Sequence, residues 1–151
     1  MNKGIVLGLA ASALATQGRT LEAAATFEAA AILADATEAL HRSIAMTGNN
    51  LAVSLEQRVQ RSPEEDTLML RAAQVARVFW GRAGTWLNVE RAEYRLAMTR
   101  LGRGEAVQAA DCVPRVADDA FRSFCVAARK VLDATLGVGG KTTTDPSKRP
   151  A

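Results

Sequence analysis

A chain of 151 residues, 48% hydrophobic and 23% charged, is long enough to bury a core without metal or disulfide staples and has the composition of an ordinary globular domain. Its net charge of +3 comes as single arginines scattered among acids, which argues against the gathered basic face of a nucleic-acid binder. One histidine and two cysteines without a CxxC spacing make a metal site unsupported, and leave any Ser/His/Asp or Cys/His arrangement to be built on His41 alone, so we expect no enzyme, no metal and no cofactor.

Much of the hydrophobic share is alanine, the best helix former and a residue that lets helices approach closely. Seven helices follow from the periodicity, and nothing in the chain has the pattern of a run of strands. The first is expected over about residues 3–16 and the second over about 21–33, with Thr20 as N-cap, separated by a Gln17-Gly18-Arg19 turn. Asp35-Ala36-Thr37-Glu38 has the form of a capping box and starts a third helix that extends to about Val59, interrupted halfway by Gly48-Asn49-Asn50, where a glycine's cost in a helix implies close packing or a kink. Ser62-Pro63-Glu64-Glu65 is the sharpest boundary: a cap, a proline at the first helical position and a glutamate that closes the box. The fourth helix it opens carries Leu68, Ala72, Val75, Ala76 and Phe79 as its apolar stripe and ends at Gly81 and Gly84. Thr85 caps a fifth helix, about residues 86–101, Gly102-Arg103-Gly104 turns the chain, and a short sixth helix spans about residues 105–113. After Pro114 a seventh helix is expected over about residues 116–136, with Phe121, Phe124, Ala128 and Leu132 at helical spacing. Residues 137–151, rich in Gly, Thr and Pro without apolar period, make a disordered tail.

Most apparent motifs have a plain structural account. Glu64-Glu65-Asp66 fill a helix's first turn, where negative charge is favourable, and His41 ends a polar helix face. Gly140-Lys141-Thr142 lacks both the first glycine and the preceding strand of a phosphate-binding loop. Cys112 and Cys125 read as buried thiols, or as a bridge between neighbouring helices if the compartment is oxidising. The arginines mixed with acids between Arg58 and Glu105 are expected to form i,i+4 pairs on a solvated surface.

The segment Met1 to Ala15 has a positive start, an apolar run and an Ala13-Leu14-Ala15 cleavage pattern, so it could serve as an export signal. We favour a retained first helix of a cytoplasmic protein, because Phe27 and Ala30 need a partner helix. No other segment approaches the ~18 consecutive apolar residues of a membrane span.

Leu7, Ala11, Leu14, Gly18, Ala23, Phe27 and Ala30 form a pattern that resembles the tetratricopeptide repeat, a helical hairpin in which small residues admit close approach and an aromatic plugs the gap. The resemblance implies an all-α stack of three such hairpins over residues 1–136, covered by the seventh helix, and a scaffold that binds a protein or peptide. A second hairpin would pair the helices around Gly48 and Ala72, and a third would run from Glu90 through Gly102 to Ala110. In carboxylate-holding members of that family an asparagine follows the small residue of a first helix, and Gly48-Asn49 is similar. The groove implied by the resemblance is lined by the first helix of each hairpin, with Asn49, Asn88, Arg91 and Arg95 beside Trp86. Such a set suits an acidic segment or a terminal carboxylate. Self-association through an incompletely covered hairpin is a further expectation. The rival functions are a small exported helical protein cut after Ala15 and a weak nucleic-acid binder.

Overall fold

A computed structural model describes residues 1–112 together with Lys130, Ala134 and Gly137. The described residues are all-α: six α-helices and one short 3-10 turn, with no strand among them. α1 (Lys3–Thr16) packs on α2 (Thr20–Asp35), α3 (His41–Glu56) on α4 (Pro63–Ala83), and α5 (Trp86–Gly102) on the short α6 (Ala106–Ala110). The pairs are stacked in order, α3 touching both α1 and α5, and α4 touching both α2 and α5. The expected seventh helix, its capping role, Cys125 and the tail lie outside the described residues.

Small residues set the spacing. α1 buries Gly4, Gly8, Ala11 and Ala15 against α2, which answers with Ala23, Phe27, Ala30, Ala31 and Ala34. Phe27 is the one large side chain of that seam that is fully buried, while Leu7, Leu14 and Leu33 pack against the core partly buried. Gly4 and Gly8 also admit α3 and its leading turn: a methyl on Gly4 would stand 2.5 Å from Leu40 Cδ1, and one on Gly8 3.2 Å from Thr47 Oγ1. α1 is therefore an integral layer of the stack.

Four boundaries differ from the sequence expectation. α2 continues through Asp35, whose carboxylate accepts a hydrogen bond from Arg82 on α4 and so caps nothing; the 3-10 turn Glu38–Leu40 leads into α3. α3 is unbroken at Gly48-Asn49-Asn50; of the close packing or kink expected there, the structure has the close packing, with α4 passing over Gly48. α3 stops at Glu56 rather than near Val59, which is fully exposed. α6 is only five residues long. By contrast, Ser62 accepts from the Glu65 N–H at 3.2 Å and Glu65 accepts from the Ser62 N–H at 3.0 Å, the reciprocal cap that its sequence specifies.

Gly48 yields a test. Helix propensity alone favours alanine over glycine by about 1 kcal/mol. A methyl at Gly48, however, would lie 2.7 Å from the Ala72 carbonyl oxygen and 3.3 Å from Ala76 Cβ, both fixed by α4. We expect Gly48→Ala to lower stability by about 1–2 kcal/mol, since overpacking against backbone outweighs propensity. Gly81→Ala, whose nearest neighbour is the movable Arg77 guanidinium at 3.1 Å, should be neutral or stabilising by up to about 1 kcal/mol. Urea unfolding of the two variants checks the contrast.

Candidate functional site

The sequence-predicted site residues fall on two helices. Asn49 is half-buried in mid α3, one residue beyond the Gly48 contact; Trp86, Asn88, Arg91 and Arg95 are on α5. Trp86 opens α5 and is 60% exposed. Asn88 Oδ1 accepts from the Thr85 N–H at 2.9 Å and from the Thr85 hydroxyl at 3.0 Å, so its carboxamide oxygen closes the cap of α5. Arg95 makes an ion pair with Glu56 at the end of α3. Arg91 is exposed and has no ion-pair partner among the described residues. Of the five, Trp86 and Arg91 are exposed, with no hydrogen-bond or ion-pair partner for their polar groups among the described residues.

The arginine–acid mixture is mostly not the set of i,i+4 pairs expected. Arg71 pairs with Glu28, Arg77 with Glu93, Arg82 with Asp35 and Arg95 with Glu56, each joining two helices; Arg19–Glu22 is a pair within one turn. Closely packed alanine-rich helices put a neighbouring helix within reach of a long guanidinium. His41 likewise does not end a polar face: its ring lies 5.2 Å from Phe79, with Nε2 buried and unpartnered among the described residues. Cys112 is buried, its Sγ 3.6 Å from the Gln108 carbonyl oxygen. Among the described residues no group of three His, Cys, Asp or Glu side chains is placed to hold a metal, and no helix is long and apolar enough to cross a membrane.

A concavity lies elsewhere, in a furrow between α2 and α4 with a volume of about 300 Å³. Ala31, Val75 and Phe79 form its floor, all buried. Ile32 and Val78 stand on its rim, 65% and 48% exposed. Each end is closed by an ion pair. At one, Arg71 donates to both oxygens of Glu28, at 2.7 and 2.9 Å. At the other, Arg82 donates to Asp35 at 2.6 Å while its guanidinium lies over the Phe79 ring, 4.8 Å from the centroid. α2 thus presents carboxylates to the furrow and α4 guanidinium groups. The sequence carried one trace of it: Ile32 and Val78 are large apolar residues out of phase with their helices' buried stripes. Nothing local pairs Arg71 with Glu28.

Comparison with protein-family models, with curated proteins and with solved structures gave no significant match, and the functional reading rests on this geometry.

Two ion pairs give measurable expectations. Glu56 and Arg95 side chains are each 24% exposed, so Arg95→Ala leaves a mostly covered carboxylate unpaired and should cost about 1–2 kcal/mol. Arg91→Ala should stay within about 0.5 kcal/mol of the parent. Thermal unfolding of both variants separates the arginine paired with Glu56 from the exposed Arg91.

Hydrogen bonds from Arg71 hold the Glu28 carboxyl below its usual range, against a smaller opposing effect of burial. A carboxylate depressed by folding contributes stability above its unfolded pKa and loses it as pH falls through the lowered folded value. Both partners are nearly half-exposed, so the effect is small. The stability difference between the parent and Glu28→Gln should therefore be present at neutral pH and shrink to nothing in acid below the carboxylate range, as read by denaturant midpoints across pH.

Proposed function

We propose that this chain is a non-enzymatic adaptor, a tetratricopeptide-like stack that binds a protein or peptide. The observation that carries this reading is the α2–α4 furrow. It is an apolar trough with exposed Ile32 and Val78 at its lips and charges of both signs at its ends. A trough between two helices accepts an amphipathic segment, whose apolar side chains fill the floor while its flanking polar groups meet Glu28, Arg71, Asp35 and Arg82. Large apolar side chains held out of a core are unfavourable for a free monomer and favourable at an interface.

A second reading has its own support on α5. Trp86 and Arg91 are an exposed tryptophan and an uncommitted guanidinium, the residue types that dominate binding hot spots, and they suit an acidic segment or a terminal carboxylate. Asn88 and Arg95 have intramolecular partners, which narrows the five-residue site to those two and Asn49 on α3.

The two readings separate in one experiment. Proteins captured from the source cell are compared between the parent, Ile32→Asp/Val78→Asp and Trp86→Ala/Arg91→Ala, each verified as folded by circular dichroism. The furrow reading expects the first double variant to lose a partner that the second retains. The reverse result moves the site to α5, and a partner kept by both variants overturns the two assignments together.

A further inference from the structure

The furrow between α2 and α4 is one of two hollows along the same seam. Beyond the Glu28–Arg71 pair, toward the starts of both helices, Leu21, Ala24, Pro63 and Leu68 line a second one of about 230 Å³, with Thr20, Glu64 and Thr67 at its margin. The ion pair is a rung between the two. Glu28 meets Arg71 and Asp35 meets Arg82, so residue numbers rise together on the two sides and the helices run parallel.

The positions that face the seam are regularly spaced. α2 turns Leu21, Ala24, Glu28, Ala31 and Asp35 toward it, at steps of three and four. α4 turns Glu64, Leu68, Arg71, Val75, Val78 and Arg82, at steps of four and three. That is the heptad spacing of helices that share a seam with another helix. Two parallel helices that show it to one trough are two thirds of a three-helix bundle. The apolar layers, Ala24 with Leu68 and Ala31 with Val75, stand seven residues apart on each helix, about 10.5 Å, and the charged rung falls between them.

We propose, building on the furrow reading above, that the partner is an α-helix with large apolar side chains seven residues apart, acids along its α4 flank and bases along its α2 flank. Backbone chemistry disfavours an extended segment. The floor of Ala31, Val75 and Phe79 offers no side-chain donor or acceptor, so an extended chain pressed on it would leave amide groups unpaired. A helix arrives with its own satisfied. Charge sets the flanks. Both rungs are ordered alike, carboxylate on α2 and guanidinium on α4, so a uniformly acidic or uniformly basic helix is repelled by one lip. These groups remain within reach of a partner: Arg82 is 41% and Asp35 67% exposed, and their one hydrogen bond, from Arg82 Nη1 to Asp35 Oδ1, leaves Oδ2 and two guanidinium nitrogens for the incoming helix. The Glu28–Arg71 rung fixes the register, since a polar position within an apolar seam must be met by a polar one.

Fluorescence anisotropy of labelled synthetic helices of 21 residues, the length of α4, tests this on the full chain. The matching probe carries leucines seven residues apart, glutamate along one flank and lysine along the other, and enters in whichever direction sets its lysines over α2. We expect saturable binding, weakened roughly tenfold or more when both flanks are glutamate or both lysine, or when the leucines stand five residues apart. Glu28→Arg/Arg71→Glu keeps a rung and inverts it, and should weaken the matching probe by a similar factor with unchanged circular dichroism. Leu21→Lys, at a position 72% exposed beside the second hollow, should weaken it too. Equal affinity for matching and uniformly charged probes, or indifference to the inverted rung, overturns the proposal; loss of that binding in Ile32→Asp/Val78→Asp then leaves the furrow itself as a site. Absence of binding by the matching probe also overturns it, and the furrow reading still stands if the partner captured from the cell is lost in Ile32→Asp/Val78→Asp. Probe binding that this double variant leaves unchanged removes both. A dimer in sedimentation that the matching probe dissociates assigns the trough to a second copy and overturns the proposal.

Discussion

The distance between helix axes governs this molecule, and it is set where backbone meets backbone with almost nothing in between. Gly48 lies against the Ala72 carbonyl and the Ala76 methyl, Gly4 and Gly8 admit Leu40 and Thr47, and Ala11 and Ala23 are completely buried. A larger side chain at Gly48 would meet the α4 backbone, and Phe27 is the ring that fills the first hairpin's remaining space. The core is consequently thin. Its fully buried large side chains are few, so dispersion contacts between backbones and small side chains carry much of the packing.

Close approach also explains the electrostatics. Arg58, beyond the end of α3, donates to the Ala15 carbonyl at 2.6 Å and pairs with Glu65, itself part of the cap of α4. One guanidinium thereby adds a donor to a carbonyl at the end of α1, which also accepts from the Gly18 N–H at 3.1 Å, and anchors the start of α4. Arg61 acts alike, pairing with Asp66 at 2.7 Å and donating to the Gly102 carbonyl at the end of α5, 3.1 Å away. The arginines between Arg58 and Arg95 are mainly ties between layers. Each is partly exposed and individually modest, and their common effect is to fix how successive layers sit.

The surfaces left open then follow from what the ties consume. Arg71 and Arg82 bridge α4 to α2 over a floor of Ala31, Val75 and Phe79, and a furrow remains between the bridges because both alanine and valine are short. On α5, the bond from Arg95 to Glu56 and the Asn88 cap leave Trp86 and Arg91 outward. On α1, whose one charged side chain is Lys3, an apolar stripe remains.

The helices were legible in the sequence because their signals are local: Ser62-Pro63-Glu64-Glu65 encodes its own cap, Gly84-Thr85 its own break, and the alanine and aromatic spacing its own period. The pairing of Gly48 with Ala72 was also within reach, since small residues at matched depth imply close approach. Other features depended on the third dimension. Asp35 has the composition of an N-cap but serves α4, and Arg95 has acids on its own helix while its partner is Glu56. Among the expected site residues, sequence supplied the residue types, but only packing decided which were committed. A cap is fixed by torsions within four residues, so the chain alone determines it. An ion pair spanning 39 to 47 residues, such as Arg95–Glu56 or Arg82–Asp35, exists only once two helices have been brought within a side chain's length of each other.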